Sequence, residues 1–313
     1  MCGGNEARSA GVECRVGRRA GEGMNQLSEW LKNGALISDG AWGTELQARG
    51  LPVGTNPDTW NLTHASQVEA VARAYVEAGS EVILTNTFRA NAIAMSGCSE
   101  TELDEINRAG VTLSKQAAGR QALVFASMGP TGKMLLSRQV SAGQVSAAFA
   151  AQARSLAAAG ADALLIETMS DTEEARLAVE AAKATGLPVI ASFAFDSGKN
   201  KDRTMMGTTP EAVAAAMASA GADGVGANCG VGVEFAAPIC QRLHAACALP
   251  VWIKPNAGLP IVEGAAIRYA TTAEYFASHY SALRAAGASF VGGCCGSTPE
   301  FVRALVAARR AAA

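Results

Sequence analysis

The stretch AAGADALLIETM, residues 158–169, decides the fold. A helical pattern ends in Ala-Ala-Gly, and a run of apolar residues follows with almost no linker. The same junction occurs in EAGSEVIL from Glu77, in SAGADGVGAN from Ser219 and in RAAGASFVGG from Arg284. Glycine just past a helix end takes the left-handed conformation that closes the last turn. An apolar run entered directly from such a turn reads as a parallel strand fed by a crossover helix. Working outward from these four junctions, eight runs qualify as strands: Ala35–Ala41, Glu81–Phe88, Ala122–Met128, Ala163–Thr168, Pro188–Phe195, Gly224–Cys229, Val251–Pro255 and Ser289–Gly293. Helix starts punctuate the intervals. Ser99–Glu102, Ser141–Gln144, Ser170–Glu173, Thr208–Glu211, Thr271–Glu274 and Ser297–Glu300 all have the spacing of a capping box.

Eight such units in succession predict a single (β/α)8 TIM barrel over residues 24–313. An open doubly wound sheet is the alternative, but no G-x-G-x-x-G follows any strand. Residues 1–23 carry Arg8, Arg15, Arg18 and Arg19 with no apolar segment after them, so they read as a disordered N-terminal extension and not as a secretory signal.

Bulk composition narrows the function. Of 313 residues, 49% are hydrophobic and 17% charged, with a net charge of −2. No basic stripe is available to neutralise phosphates, which excludes nucleic acid as the main partner. No uncharged apolar stretch reaches the roughly 18 residues that a membrane span needs. The chain has eight cysteines at irregular spacing, and one this long needs no disulfide staples. Free thiols in a reducing cytoplasm are expected.

Barrel active sites form where strands run into the following loops. The polar residues there are Asp39, Thr85, Asn86, Lys133, Glu167, Asp196, Asn228, Cys229, Asn256, Cys294 and Cys295. Cys229 alone would read as a small core residue. With Cys294 and Cys295 at a second strand end, the three read as a metal site. Adjacent residues of a regular strand face opposite ways, so the pair needs a break in strand geometry, for which Gly292, Gly293 and Gly296 offer freedom. Three thiolates with one open position suit Zn2+. Such a centre is electron-rich, poor at making hydroxide and suited to holding a substrate thiol as its thiolate. Group transfer onto a thiol is the expected chemistry, and Asp39 and Glu167 can hold the ammonium of an amino-acid substrate. Either carboxylate can equally cap a loop or pair with an arginine. Cys240 and Cys247 read as core, while Cys98, Cys2, Cys14 and all three histidines lack the surroundings of a ligand.

The segments DGAWGTEL, ILTNTF, GPTGK, LLIETMSDTEEA, GANCG, PNAGLP and GGCCGSTPE occur in this order from Asp39 to Glu300. In this the chain resembles the zinc-dependent homocysteine S-methyltransferases, which include the homocysteine module of cobalamin-dependent methionine synthase and betaine–homocysteine methyltransferase. The resemblance implies a barrel in which Cys229, Cys294 and Cys295 hold zinc and act in catalysis. It implies that Asp39 and Glu167 bind the homocysteine amino group, and that backbone near Ala41 and Trp42 meets its carboxylate. The product would be methionine.

The methyl donor stays open between a betaine-like quaternary amine, a sulfonium and a methyl-corrinoid on a partner protein. The tyrosine expected after strand two in animal betaine enzymes is missing, and no Asp-x-His-x-x-Gly corrinoid motif occurs. Trp42 and Phe88, with Trp60 closing over them, are the aromatics that would surround a cationic donor.

Overall fold

The computed structural model of the chain describes residues 22–263 and 266–312. Its eight barrel strands are β1 (Leu36–Ile37), β2 (Val82–Leu84), β3 (Leu123–Met128), β4 (Ala163–Met169), β5 (Val189–Phe193), β6 (Gly224–Gly232), β7 (Val251–Asn256) and β10 (Ala288–Val291). They pair in parallel in the order β1-β10-β7-β6-β5-β4-β3-β2. A parallel bridge between Ser38 and Val82 joins β1 to β2 and closes the ring. The chain is a TIM barrel. All four junction glycines, Gly79, Gly160, Gly221 and Gly287, have φ between 86° and 100°.

Side chains alternate across each strand. Val82, Leu84, Phe125, Ala163, Leu165, Ile190, Trp252 and Phe290 point inward and form one buried cluster. Their neighbours Ile83, Val124, Ala126, Leu164, Ile166 and Val251 point outward into the layer beneath the helices. Phe125, Trp252 and Phe290 pack with ring centroids 5.2–5.9 Å apart, Phe290 edge-on to Phe125. Helix Glu22–Leu31 seals the bottom of the barrel, with Leu27 in the inner cluster and Trp30 against the Phe125 ring. That helix begins at Glu22 and so takes in the last two residues of the expected extension; residues 1–21 lie outside those described.

The caps depart from expectation in register. Ser99 and Ser141 form the expected capping boxes. At four other helices the cap is one residue later: Asp171, Thr209, Thr272 and Thr298 accept from the end amides. In each case two cap-competent residues stand side by side; Asp171, Thr209 and Thr272, each the second of its pair, are the last extended residues before the helical turn begins. A further departure is the antiparallel hairpin of β8 (Pro260–Glu263) and β9 (Ala266–Tyr269), which leaves the barrel after β7. No described helix is long and apolar enough to cross a membrane.

Candidate metal and substrate site

Above the inner apolar layer, the same alternation continues with polar side chains. Leu123, Phe125 and Ser127 share one face of β3; Leu165 and Glu167 share one face of β4; Trp252, Lys254 and Asn256 share one face of β7. The strands thereby deliver Ser127, Glu167, Asn228, Lys254 and Asn256 to one end of the barrel.

The three cysteines meet there. The sulfurs of Cys229, Cys294 and Cys295 lie within 4.8 Å of one another, and all three residues are half-buried. Cys229 reaches inward because its own backbone is left-handed, φ 59°, followed by Gly230 at 67°. A non-glycine residue adopts this region only where its surroundings hold it there. At the other loop only Gly296 is left-handed, φ 80°. Gly292 and Gly293 serve close approach instead: a Cβ on them would lie 2.0 Å from Ser38 Oγ and 2.3 Å from Ser297 Oγ.

Asn256 staples the two cysteine loops. Its Oδ1 accepts from Cys295 N at 3.0 Å and its Nδ2 donates to the Gly230 carbonyl at 3.0 Å. Cys294 N donates to Pro255 O at 2.8 Å, fixing the pair to the end of β7. Hydrogen bonds from Cys294 and then Cys295 hold the Cys229 thiol well below its ordinary range, while donation to Cys229 holds the other two well above theirs. Three adjacent thiolates require a positive charge among them, so this soft donor set fits a thiophilic divalent metal. Asn256→Ala is expected to lower metal affinity about 10–100-fold, the usual cost of losing an outer partner of a ligand. Competition with a chromophoric chelator measures it, and unchanged affinity would mean that the loops hold their shape alone.

Glu167 is buried, with Oε1 accepting from Ser127 Oγ and Oε2 from Asn228 Nδ2 at 3.4 Å. Asn228 is itself locked by Ser192 Oγ at 2.7 Å and by the Thr168 amide at 2.9 Å. Thr168 is left-handed, φ 60°. Burial, opposed by the Lys254 charge, pushes the Glu167 carboxyl up to about 7.

Asp39 is fully buried. Its Oδ1 pairs with the Lys254 ammonium, and its Oδ2 accepts from Leu84 N at 2.7 Å and Trp42 Nε1 at 2.8 Å. Lys254 is 2% exposed. It was not among the residues expected at the site, although its spacing of two from Trp252 and Asn256 carried the signal. The Ala41 amide donates to Ser297 O at 3.0 Å, tying the first loop to the cysteine loop.

Other expected residues fall elsewhere. Lys133 and Asp196 are exposed, and Asn86 is spent on Pro57 O and Asn61 Oδ1. Trp60 is a core residue, 6% exposed and stacked on His64 at 4.2 Å, because a short 3-10 turn at Pro57–Thr59 directs it inward. It does not close over Trp42 and Phe88. The Phe88 ring covers Gly129, where a Cβ would lie 2.5 Å from it. Cys240 is buried, its thiol pushed up to about 12 by that burial.

Comparison with known proteins places this geometry. The sequence matches the family described as Homocysteine S-methyltransferase over residues 36–309. It is 28% identical over 300 residues to methionine synthase of Mycobacterium tuberculosis, covering 90% of this chain and 25% of that protein. Methionine synthase of Mycobacterium leprae is 29% identical over 301 residues with the same coverage. The chain thus spans about a quarter of the length of these relatives. Crystal structures of the homocysteine methyltransferase MmuM from Escherichia coli, in oxidised and metallated forms, superpose with a TM-score of 0.75 at 25% identity. They match over 90% of this chain and 99% of theirs. The chain belongs to the homocysteine S-methyltransferase family.

Proposed function

We propose that the chain is a zinc-dependent homocysteine S-methyltransferase that forms methionine. The observation that carries this reading is the set of three half-buried thiols, Cys229, Cys294 and Cys295, at one barrel end with the buried Glu167 carboxylate. Zinc held by these thiols would supply the Lewis acidity that keeps the homocysteine sulfur as a thiolate at neutral pH. The chain's own residues do the rest. Glu167, aimed by Ser127 and Asn228, accepts the substrate ammonium. Asp39, fully buried and engaged by Lys254, Leu84 N and Trp42 Nε1, supports the same ammonium through its charge and by holding the first loop. The substrate carboxylate is assigned to the backbone at Trp42, the first amide past the engaged Ala41. Transfer then moves the methyl group to the substrate sulfur, as the bond to the donor breaks and its electron pair stays with the leaving group. The free thiols fit a reducing cytoplasm.

For the donor, the first reading is a small quaternary amine or sulfonium taken by the chain itself, with Trp42 and Phe88 as the aromatics that would face it. In the second reading the methyl group arrives on a corrinoid carried by a partner protein; it draws on the resemblance of the sequence motifs to the homocysteine module of cobalamin-dependent methionine synthase. Methionine formation from homocysteine, zinc-loaded protein and betaine or a methylsulfonium as the only donor separates them. Turnover would remove the need for a corrinoid partner, and turnover only after a methylated corrinoid protein is added would remove the small donor.

Because the ammonium needs an ionised Glu167, homocysteine affinity is expected to fall as pH drops below about 7. Glu167→Gln should weaken binding by about 1.5–3 kcal/mol at pH 8 and flatten that pH dependence, with metal content unchanged. The sign for stability is opposite. A carboxyl raised from 4.5 to about 7 favours the folded state at low pH, and the advantage is lost as pH rises through that interval. Calorimetric titration across pH 6–8 checks the affinity, and parallel curves for the two proteins would assign Glu167 to structure.

A further inference from the structure

Tyr75 stands on the helix Ala65–Glu77 and is fully buried, in the layer between the helices and the strands. Its hydroxyl donates to Ala41 O at 2.6 Å and lies 3.1 Å from Ser297 O. A phenol has one proton, and the shorter contact takes it; Ser297 O already accepts from Ala41 N at 3.0 Å. The phenol passes beneath Gly40, where a Cβ would lie 2.7 Å from its oxygen and 2.8 Å from Ser297 O. Gly293 N also donates to Asp39 O at 3.0 Å. The first loop and the cysteine loop are thus joined by two backbone bonds, and the phenol adds something different.

The Ala41 carbonyl and the Trp42 amide belong to one peptide unit. That unit is planar and trans, so its N–H points opposite to its C=O. The carbonyl is turned outward to Tyr75. The Trp42 N–H is therefore turned inward, towards the polar strand ends, and it engages no partner among the described residues. The indole of the same residue donates to Asp39 Oδ2 at 2.8 Å, which fixes Trp42 from its side chain as well.

We propose that Tyr75 is a positioning residue for the substrate carboxylate: by holding Ala41 O outward, its hydroxyl aims the Trp42 N–H at that group. This role rests on the homocysteine reading, and it makes the hydroxyl matter for one part of the substrate alone. A peptide unit free to turn would give up its bond to the carboxylate. The substrate thiol and ammonium would be held as before, since the phenol hydrogen-bonds to neither Glu167 nor a cysteine sulfur.

Tyr75→Phe removes the hydroxyl and keeps the ring. Wild type and variant, both zinc-loaded, are titrated calorimetrically with homocysteine and with its decarboxylated analogue, aminopropanethiol. Homocysteine should bind the variant roughly tenfold more weakly, the equivalent of one hydrogen bond to a charged acceptor. The analogue should change by less than about twofold on the same scale, with zinc content unaltered. An unchanged homocysteine affinity would overturn the proposal. So would an equal loss for both ligands, which would make the phenol a general support of the loops. A second measurement needs no variant. In wild type carrying nitrogen-15-labelled tryptophan, the Trp42 backbone amide resonance should shift with homocysteine and stay in place with aminopropanethiol. The same response to both ligands would overturn the assignment even if the variant failed to fold. Wild type that binds neither ligand would sink the homocysteine reading, and this role with it.

Discussion

Cys294→Ser is expected to lose zinc and methyl transfer together while the barrel stays folded. A serine hydroxyl at this position is a harder and far less acidic donor than the thiol it replaces. Loss of a mere outer partner costs about 10–100-fold in affinity or activity, so loss of a ligand should exceed a hundredfold. Fold is spared because the site sits on strand ends, above an inner core of Phe125, Trp252, Phe290 and Leu165 that contains no cysteine. Elemental analysis, circular dichroism and an assay on the same sample check all three parts. Full zinc in the variant would remove Cys294 from the ligand set. Unfolding would instead make the metal structural.

Lys254→Met is expected to be the most destabilising single change at the site. Lys254 is 2% exposed and Asp39 fully buried, so the pair is almost completely withdrawn from solvent. Removing one partner leaves the other charge uncompensated in the interior, at a cost of about 3–5 kcal/mol. Asp39→Asn with Lys254→Met removes both charges, keeps acceptors for Leu84 N and Trp42 Nε1, and should recover most of that loss. Urea denaturation of the two singles and the double closes the cycle. Additive losses would show that the pair is not energetically coupled, and the burial argument would fail.

The parts of this structure that follow from local chemistry were legible in the sequence. The four Ala-Gly junctions are an example, since a left-handed glycine is set by its own turn, and Gly79, Gly160, Gly221 and Gly287 all adopt it. The cysteines were legible because adjacent thiols at a strand end have few other uses. Cap registers were less so: where Ser170-Asp171 or Thr208-Thr209 offers two candidates, the x-x-Glu spacing selects the first and the backbone uses the second. The hairpin escaped because arms of four residues are too short to show a period. Lys254 escaped for a different reason. A lysine in a run of apolar residues is easily passed over, and only its register with Trp252 places it inside the barrel. Nothing local announces that Cys229 and Thr168 are left-handed, because tertiary packing imposes those conformations.

The central claim is that the three thiols hold a metal that takes a substrate thiol in its remaining position. Zinc-edge X-ray absorption of the loaded protein, before and after homocysteine, tests it most directly. The account predicts three sulfur neighbours from Cys229, Cys294 and Cys295 without substrate, and one additional sulfur once homocysteine is added. A spectrum that shows three sulfurs throughout, at saturating homocysteine, would contradict it.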